Sequence, residues 1–83
     1  MERVDQKYGI SAVNVVTGKS HNEFDSCLFL AHDPIFLKKA LPAYLEGCKV
    51  KKCSKDQINR VKELIERVKQ YQKEHPEEVK LPD

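Results

Sequence analysis

Between positions 54 and 75, apolar residues recur at steps of three and four: Ile58, Val61, Leu64, Ile65, Val68 and Tyr71. That is one stripe on a 3.6-residue period, and it predicts an amphipathic helix of about six turns. Ser54 offers an N-cap oxygen, and Gln57 three residues on completes a capping-box pattern. The opposite face carries Arg60, Lys62, Glu63, Glu66, Arg67, Lys69 and Lys73. Asp56 with Arg60, and Glu63 with Arg67, stand four apart in the favourable order, each worth about 0.3 kcal/mol if paired. Pro76 stops the helix. So wide a stripe needs a covering surface, which the rest of the chain must supply.

A second helical pattern precedes it. Asp33-Pro34 is an N-cap acid followed by proline at the first helical position. Phe36, Leu37, Ala40, Leu41, Tyr44 and Leu45 then fall on one face. The spacing predicts a helix over 34–47, kinked at Pro42, with Gly47 as its C-cap. The short connection from Cys48 to Cys53 sets the two helices antiparallel, stripe against stripe.

Upstream, Tyr8 to Val16 is rich in β-branched residues and reads as a strand. Thr17-Gly18-Lys19-Ser20 is turn chemistry, extended by His21, Asn22 and Glu23. Phe24 to Ala31 reads as the antiparallel partner strand. A two-stranded hairpin is barely stable alone, so it is expected to rest on the helices. Residues 1–7 read as a loose lead-in, and 76–83 as an extended tail that Val79 and Leu81 anchor. The expected architecture is α+β, in the order ββαα: one domain over 1–83, with a β-hairpin at 8–33, a helical hairpin at 34–75 and the tail.

Eighty-three residues build only a small core, and domains of this size often gain stability by associating, so a homo-oligomer is expected. Charge is unevenly placed. Residues 1–33 hold three basic against five acidic side chains, a net of −2; residues 34–83 hold twelve against eight, a net of +4. Attraction for anions therefore belongs to the second half. No basic start leads into an apolar run, and the longest apolar run, Cys27 to Ala31, is far short of a membrane span. Three cysteines without a secretion signal read as free thiols in a reducing cytoplasm.

Candidate chemistry is sparse. Gly18-Lys19-Ser20 ends like a P-loop, but position 13 is Val where that motif needs glycine, and a strand follows instead of a helix. Cys48 and Cys53 would need two further zinc ligands from among His21, His32, His75 and Cys27, which form no spaced pair. Cys27, His32 and Asp33 offer a thiol, a base and an orienter, but spacing on a strand sends them to different faces. Glu63 with Glu66 and Glu77 with Glu78 sit among Lys and Arg as solvated surface. No enzyme, metal or cofactor is expected.

The basic cluster is the most distinctive surface feature. Lys38 and Lys39 lie on the first helix; Lys49, Lys51, Lys52 and Lys55 crowd the inter-helix connection, with Lys55 just inside the start of the long helix, where free N–H groups favour anions. Tyr8 is a candidate stacking group. Lysines without arginine forks argue against base-specific readout.

Leu28 to Asp33, Ala40-Leu41-Pro42-Ala43-Tyr44, Leu64 to Val68, Tyr71-Gln72 and Val79 to Asp83 together resemble a pattern found in small accessory proteins of phages and prophages. The resemblance implies a phage-type, anti-defence protein in the host cytoplasm that captures an immune protein or an anionic signalling nucleotide without catalysis. For nucleotide capture, Lys38, Lys39, Lys49, Lys51, Lys52, Lys55 and Tyr8 are the expected contacts; a protein blocker would use the hairpin edge. The alternative is a small nucleic-acid-binding accessory protein gripping phosphates through the same lysines.

Overall fold

The computed structural model describes residues 1–83. The order is ββαα: strands β1 (Ser11–Val13) and β2 (Ser20–Asn22), then helices α1 (Leu41–Val50) and α2 (Lys55–Glu74). A π-helical turn, Phe36–Ala40, leads directly into α1, and a 3-10 turn, Pro76–Glu78, follows α2. The strands are antiparallel, with Ala12 opposite His21.

α2 follows its sequence pattern closely. Ser54 is the N-cap, its Oγ accepting the Gln57 N–H at 3.1 Å. The Gln57 side chain makes no return bond, so only half of the capping box forms. Val61 and Val68 are buried, Ile58, Ile65 and Tyr71 half-buried, and Leu64 more open. The expected pairs Asp56–Arg60 and Glu63–Arg67 are absent; the surface pair on this helix is Glu66–Lys69 at 3.5 Å. Exposed long side chains gain too little from pairing to fix one geometry.

The first rod is a single helix over 34–50, longer than 34–47. Asp33 caps it as expected: its Oδ1 accepts the N–H of Ile35 at 2.8 Å and of Phe36 at 3.3 Å. Pro42 neither splits the rod nor merely kinks it. Proline cannot donate to the Lys38 carbonyl, and its ring crowds that oxygen. The turn ahead of it widens to a π turn, with the Leu41 N–H bonded to Phe36 O. Gly47 is not the C-cap. The helix continues to Val50 and closes in a Schellman motif: Cys53 N–H to Cys48 O at 2.9 Å, Lys52 N–H to Lys49 O at 3.1 Å. Lys52 takes the left-handed position with φ 57°, a place glycine fills at lower cost.

The helices are antiparallel. Gln72, late in α2, donates to Ala31 O at 3.0 Å and Asp33 O at 3.1 Å, just ahead of the first rod. The core between them consists of Leu41, Cys48, Val61 and Val68.

The hairpin differs from expectation in extent and position. Its strands are three residues each, and β2 occupies 20–22, where turn chemistry read as loop; Phe24 to Ala31 is not a strand. Neither strand packs on a helix, and every strand residue is exposed. The physical reason lies in residues 1–8, which are not loose. Asp5 is buried and accepts three backbone N–H groups: Lys7 and Tyr8 at Oδ1, Leu28 at Oδ2, each at 2.8 Å. The N–H groups of Val4 and Asp5 bond Glu23 O, and Glu23 Oε1 accepts from Ile10. These bonds occupy the backbone that a longer hairpin would use.

The tail lies beside this segment, with Lys80 N–H bonded to His32 O at 3.3 Å. Val79 is half-buried, whereas Leu81 is exposed and anchors nothing. No helix is long and apolar enough to cross a membrane.

Candidate functional site

The largest apolar concavity is a groove of about 400 Å³ between the helices, lined by nine residues of which seven are hydrophobic. One wall is Phe36, Ala40, Leu41 and Tyr44 from the first rod; the other is Gln57, Arg60, Val61 and Leu64 from α2. Phe29 closes one end. Its ring stacks on Phe36, centroids 5.2 Å apart and planes 1° from parallel, which fixes the segment before the first rod against it. The groove floor is the buried pair Leu41 and Val61, and its lips are open: Phe29, Tyr44 and Leu64 are 57%, 58% and 43% exposed. The helical stripes made this groove legible in part. Nothing in the spacing marks Phe29, because the apolar run that holds it reads as a strand.

A second cavity, of about 490 Å³, is more polar and lies where the tail meets the N-terminal segment. Tyr8, Lys7, His32, Asp33, Lys80 and Asp83 contribute to its walls. Its cations face acceptors already present: Lys7 Nζ contacts the Asp83 carbonyl oxygen, and Lys80 Nζ lies 4.0 Å from Asp83 Oδ2.

The expected anion contacts do not converge. Lys38 and Lys39 lie on the π turn, and Lys49, Lys51, Lys52 and Lys55 surround the far end of the rod. Eleven residues of helix separate Lys38 from Lys49, about 16 Å along the axis. All six are exposed without a carboxylate partner, and Tyr8 lines the other cavity. Four of the six cluster at the connection; for three of them, Lys49, Lys51 and Lys52, the C-terminal end of the rod favours cations on helix-dipole grounds alone.

The thiols and acids resolve similarly. Cys48 is buried while Cys27 and Cys53 are exposed, and all are free. Burial, then the neighbouring Cys53 thiol, push the Cys48 thiol up from its ordinary range; the Tyr44 hydroxyl opposes this. His75 stands at the opposite end of the 20-residue α2, about 30 Å from this pair, and cannot join it on one zinc. The Asp33 carboxylate is committed to capping, so it does not orient His32 toward Cys27. His75, Glu77 and Glu78 do gather, with ligand atoms within 4.8 Å of one another. His75 Nδ1 is 3.0 Å from Glu78 Oε2, and its ring lies 4.6 Å from Tyr71. Glu78 also accepts the Tyr71 hydroxyl; burial foremost, then the Glu78 charge, raise that phenol's pKa. The group ends α2 as a self-paired cluster.

The hairpin tip carries Gly18 at φ 79° in a turn where Asn14 Oδ1 accepts from Val16 and Thr17. Its Val15 is almost wholly exposed. The strand on either side confirms an ordinary hairpin turn in place of a phosphate loop.

No protein-family model, no curated protein and no solved structure matches this chain.

Proposed function

We propose that this chain is a non-catalytic binding protein that captures a protein partner by taking one of its apolar segments into the groove between the helices. One observation carries the reading: seven of the nine residues lining the groove are hydrophobic, and its floor residues Leu41 and Val61 belong to the core itself. A core of four buried apolar residues is minimal for a chain of this size, and covering the groove completes it. Rings at the lips, Phe29 and Tyr44, are the residue types that dominate binding energy when covered. Arg60 at the rim offers a charged group of the kind found around such patches. The resemblance to phage and prophage accessory proteins gives the partner a context: a component of host immunity in the host cytoplasm, blocked by occupation of its surface.

The test replaces Tyr44 with a photoreactive phenylalanine analogue in living cells. A single heterologous protein attached at that position, and lost when Phe29→Asp is added, supports the reading. Attachment only to further copies of this chain, or sedimentation as a dimer that Leu64→Glu dissociates, assigns the groove to self-association and overturns it. Leu64 is exposed enough for its change to leave the fold intact; because Phe29→Asp also removes the stack on Phe36, its circular dichroism and melting point must match those of the parent for the loss to count.

A further inference from the structure

The Schellman motif at the end of the first rod brings two thiols together. In this motif the side chains three residues before the cap and two after it commonly touch, and the contact is usually apolar. Here those positions are Cys48 and Cys53. Their backbones are joined by the 2.9 Å bond from Cys53 N–H to Cys48 O. Both side chains line one small cavity with Tyr44 and Lys51. Cys48 is buried and Cys53 is exposed. The 6→1 bond of the motif brings the two backbones together across the turn, as a disulfide, which bridges Cα atoms about 4.4–6.8 Å apart, requires.

We infer that Cys48 and Cys53 form a reversible dithiol–disulfide site, oxidised by hydroperoxides, with Cys53 as the attacking thiol and Cys48 as the resolving one.

The division of roles follows from exposure. Cys53 meets solvent and the oxidant first. Burial keeps Cys48 protonated and inert until a partner sulfur is activated beside it. The Cys53 thiol loses its proton, and the thiolate attacks one oxygen of hydrogen peroxide. The O–O bond breaks, Cys53 becomes a sulfenic acid, and the departing hydroxide takes the proton to form water. Cys48 sulfur then attacks the Cys53 sulfur. The S–S bond forms, the S–O bond breaks, and hydroxide leaves with the Cys48 proton as a second water. Two thiols give up two electrons, and the peroxide is reduced to two waters. The closed loop is short, so the bond adds little as a staple, and its exposed end lets a small thiol reduce it.

The experiment uses the full chain carrying Cys27→Ser, which removes the third thiol. On addition of hydrogen peroxide, the intact mass should fall by two hydrogens. Trypsin cuts after Lys49, Lys51 and Lys52, so the peptides holding Cys48 and Cys53 should separate from the reduced protein and stay joined from the oxidised one. Dithiothreitol should reverse this. In Cys27→Ser/Cys48→Ser, oxidation should stop at a Cys53 sulfenic acid that dimedone traps. Phenylarsine oxide, which needs two adjacent thiols, should bind one to one and lose that binding in either single serine variant. Sulfinic acid on Cys53 beside an intact Cys48 overturns the proposal. So do disulfide-linked dimers as the main product, or the absence of arsenical binding, in protein whose circular dichroism shows it folded.

Discussion

The Leu28 backbone N–H donates to Asp5 Oδ2 at 2.8 Å, which binds the first turn of the chain to the segment that enters the helices. The other oxygen of that carboxylate accepts from Lys7 and Tyr8. One buried side chain therefore organises two stretches that have no regular secondary structure. The bonds to Tyr8, Leu28 and Lys7, in that order, hold the Asp5 carboxyl below its ordinary value of 3.8. A carboxyl depressed on folding contributes stability that is complete above its unfolded value and is lost as pH falls through its folded one. Thermal melts from pH 6 to pH 2 should show the wild type losing stability below about pH 4. Asp5→Asn, which turns one acceptor into a donor facing N–H groups, should melt lower at pH 6 and converge with the wild type in acid. Curves that stay parallel throughout remove Asp5 from this role.

Leu41 is 4% exposed, against 43% for Leu64 on the facing wall of the same groove. Leu41→Ala should cost about 2–4 kcal/mol through lost transfer energy and the cavity left behind, whereas Leu64→Ala should cost under about 1 kcal/mol. Urea midpoints read both. Equal losses would mean that the groove is shut in solution.

Pro42 accounts for the π turn over Phe36–Ala40, and Pro42→Ala isolates that cause. With an N–H restored at 42, the Leu41 N–H should return to the Leu37 carbonyl. Phe36 then swings by about 100° relative to the rest of the rod. The expected outcome is a more stable helix, by up to about 3 kcal/mol, and loss of the Phe29–Phe36 ring contact in NMR spectra. A retained ring contact would show that the aromatic stack, and not the proline, holds the wide turn.

Lys52 sits at φ 57° with a side chain that disfavours it. Lys52→Gly should raise stability by about 0.5–1 kcal/mol, measured by chemical denaturation, because glycine adopts that backbone freely. A loss of stability would mean that the lysine stem contributes packing that outweighs the backbone term.

The dispersed lysines make a prediction of their own. If the groove is the binding surface, Lys38→Glu with Lys39→Glu should leave partner attachment at position 44 unchanged, as should Lys51→Glu with Lys52→Glu. The nucleic-acid reading requires the opposite. RNA or DNA would be shifted at low salt, with affinity falling by a slope of about −0.9 per phosphate neutralised. That shift would vanish in Lys51→Glu/Lys52→Glu, and its observation would reverse the functional proposal.

How much of this was legible beforehand varies by residue. Ser54 and Asp33 declared their helices because capping is a local transaction between a side chain and an N–H two or three positions on. The stripe from Ile58 to Tyr71 did the same, since periodicity follows from helix geometry alone. The apolar run from Cys27 to Ala31 misled, because β propensity chiefly reports fit to a half-buried surface and does not say which surface. That segment lies against the first rod through Phe29, not beside β1. Gly47 likewise lost to Lys52: the Cys48–Cys53 pairing and the cap position depend on where the chain turns toward α2.

By itself, then, the sequence determined two amphipathic helices, their N-caps, the turn at Gly18 and the order ββαα, since each rests on bonds between residues a few positions apart. Only the tertiary structure decided that Asp5 is a buried hub, that the hairpin stands clear of the helices, and that Phe29 completes an apolar groove. Those outcomes depend on groups distant in sequence competing for the same hydrogen-bond donors and the same apolar surface, and no local pattern records which of them prevails.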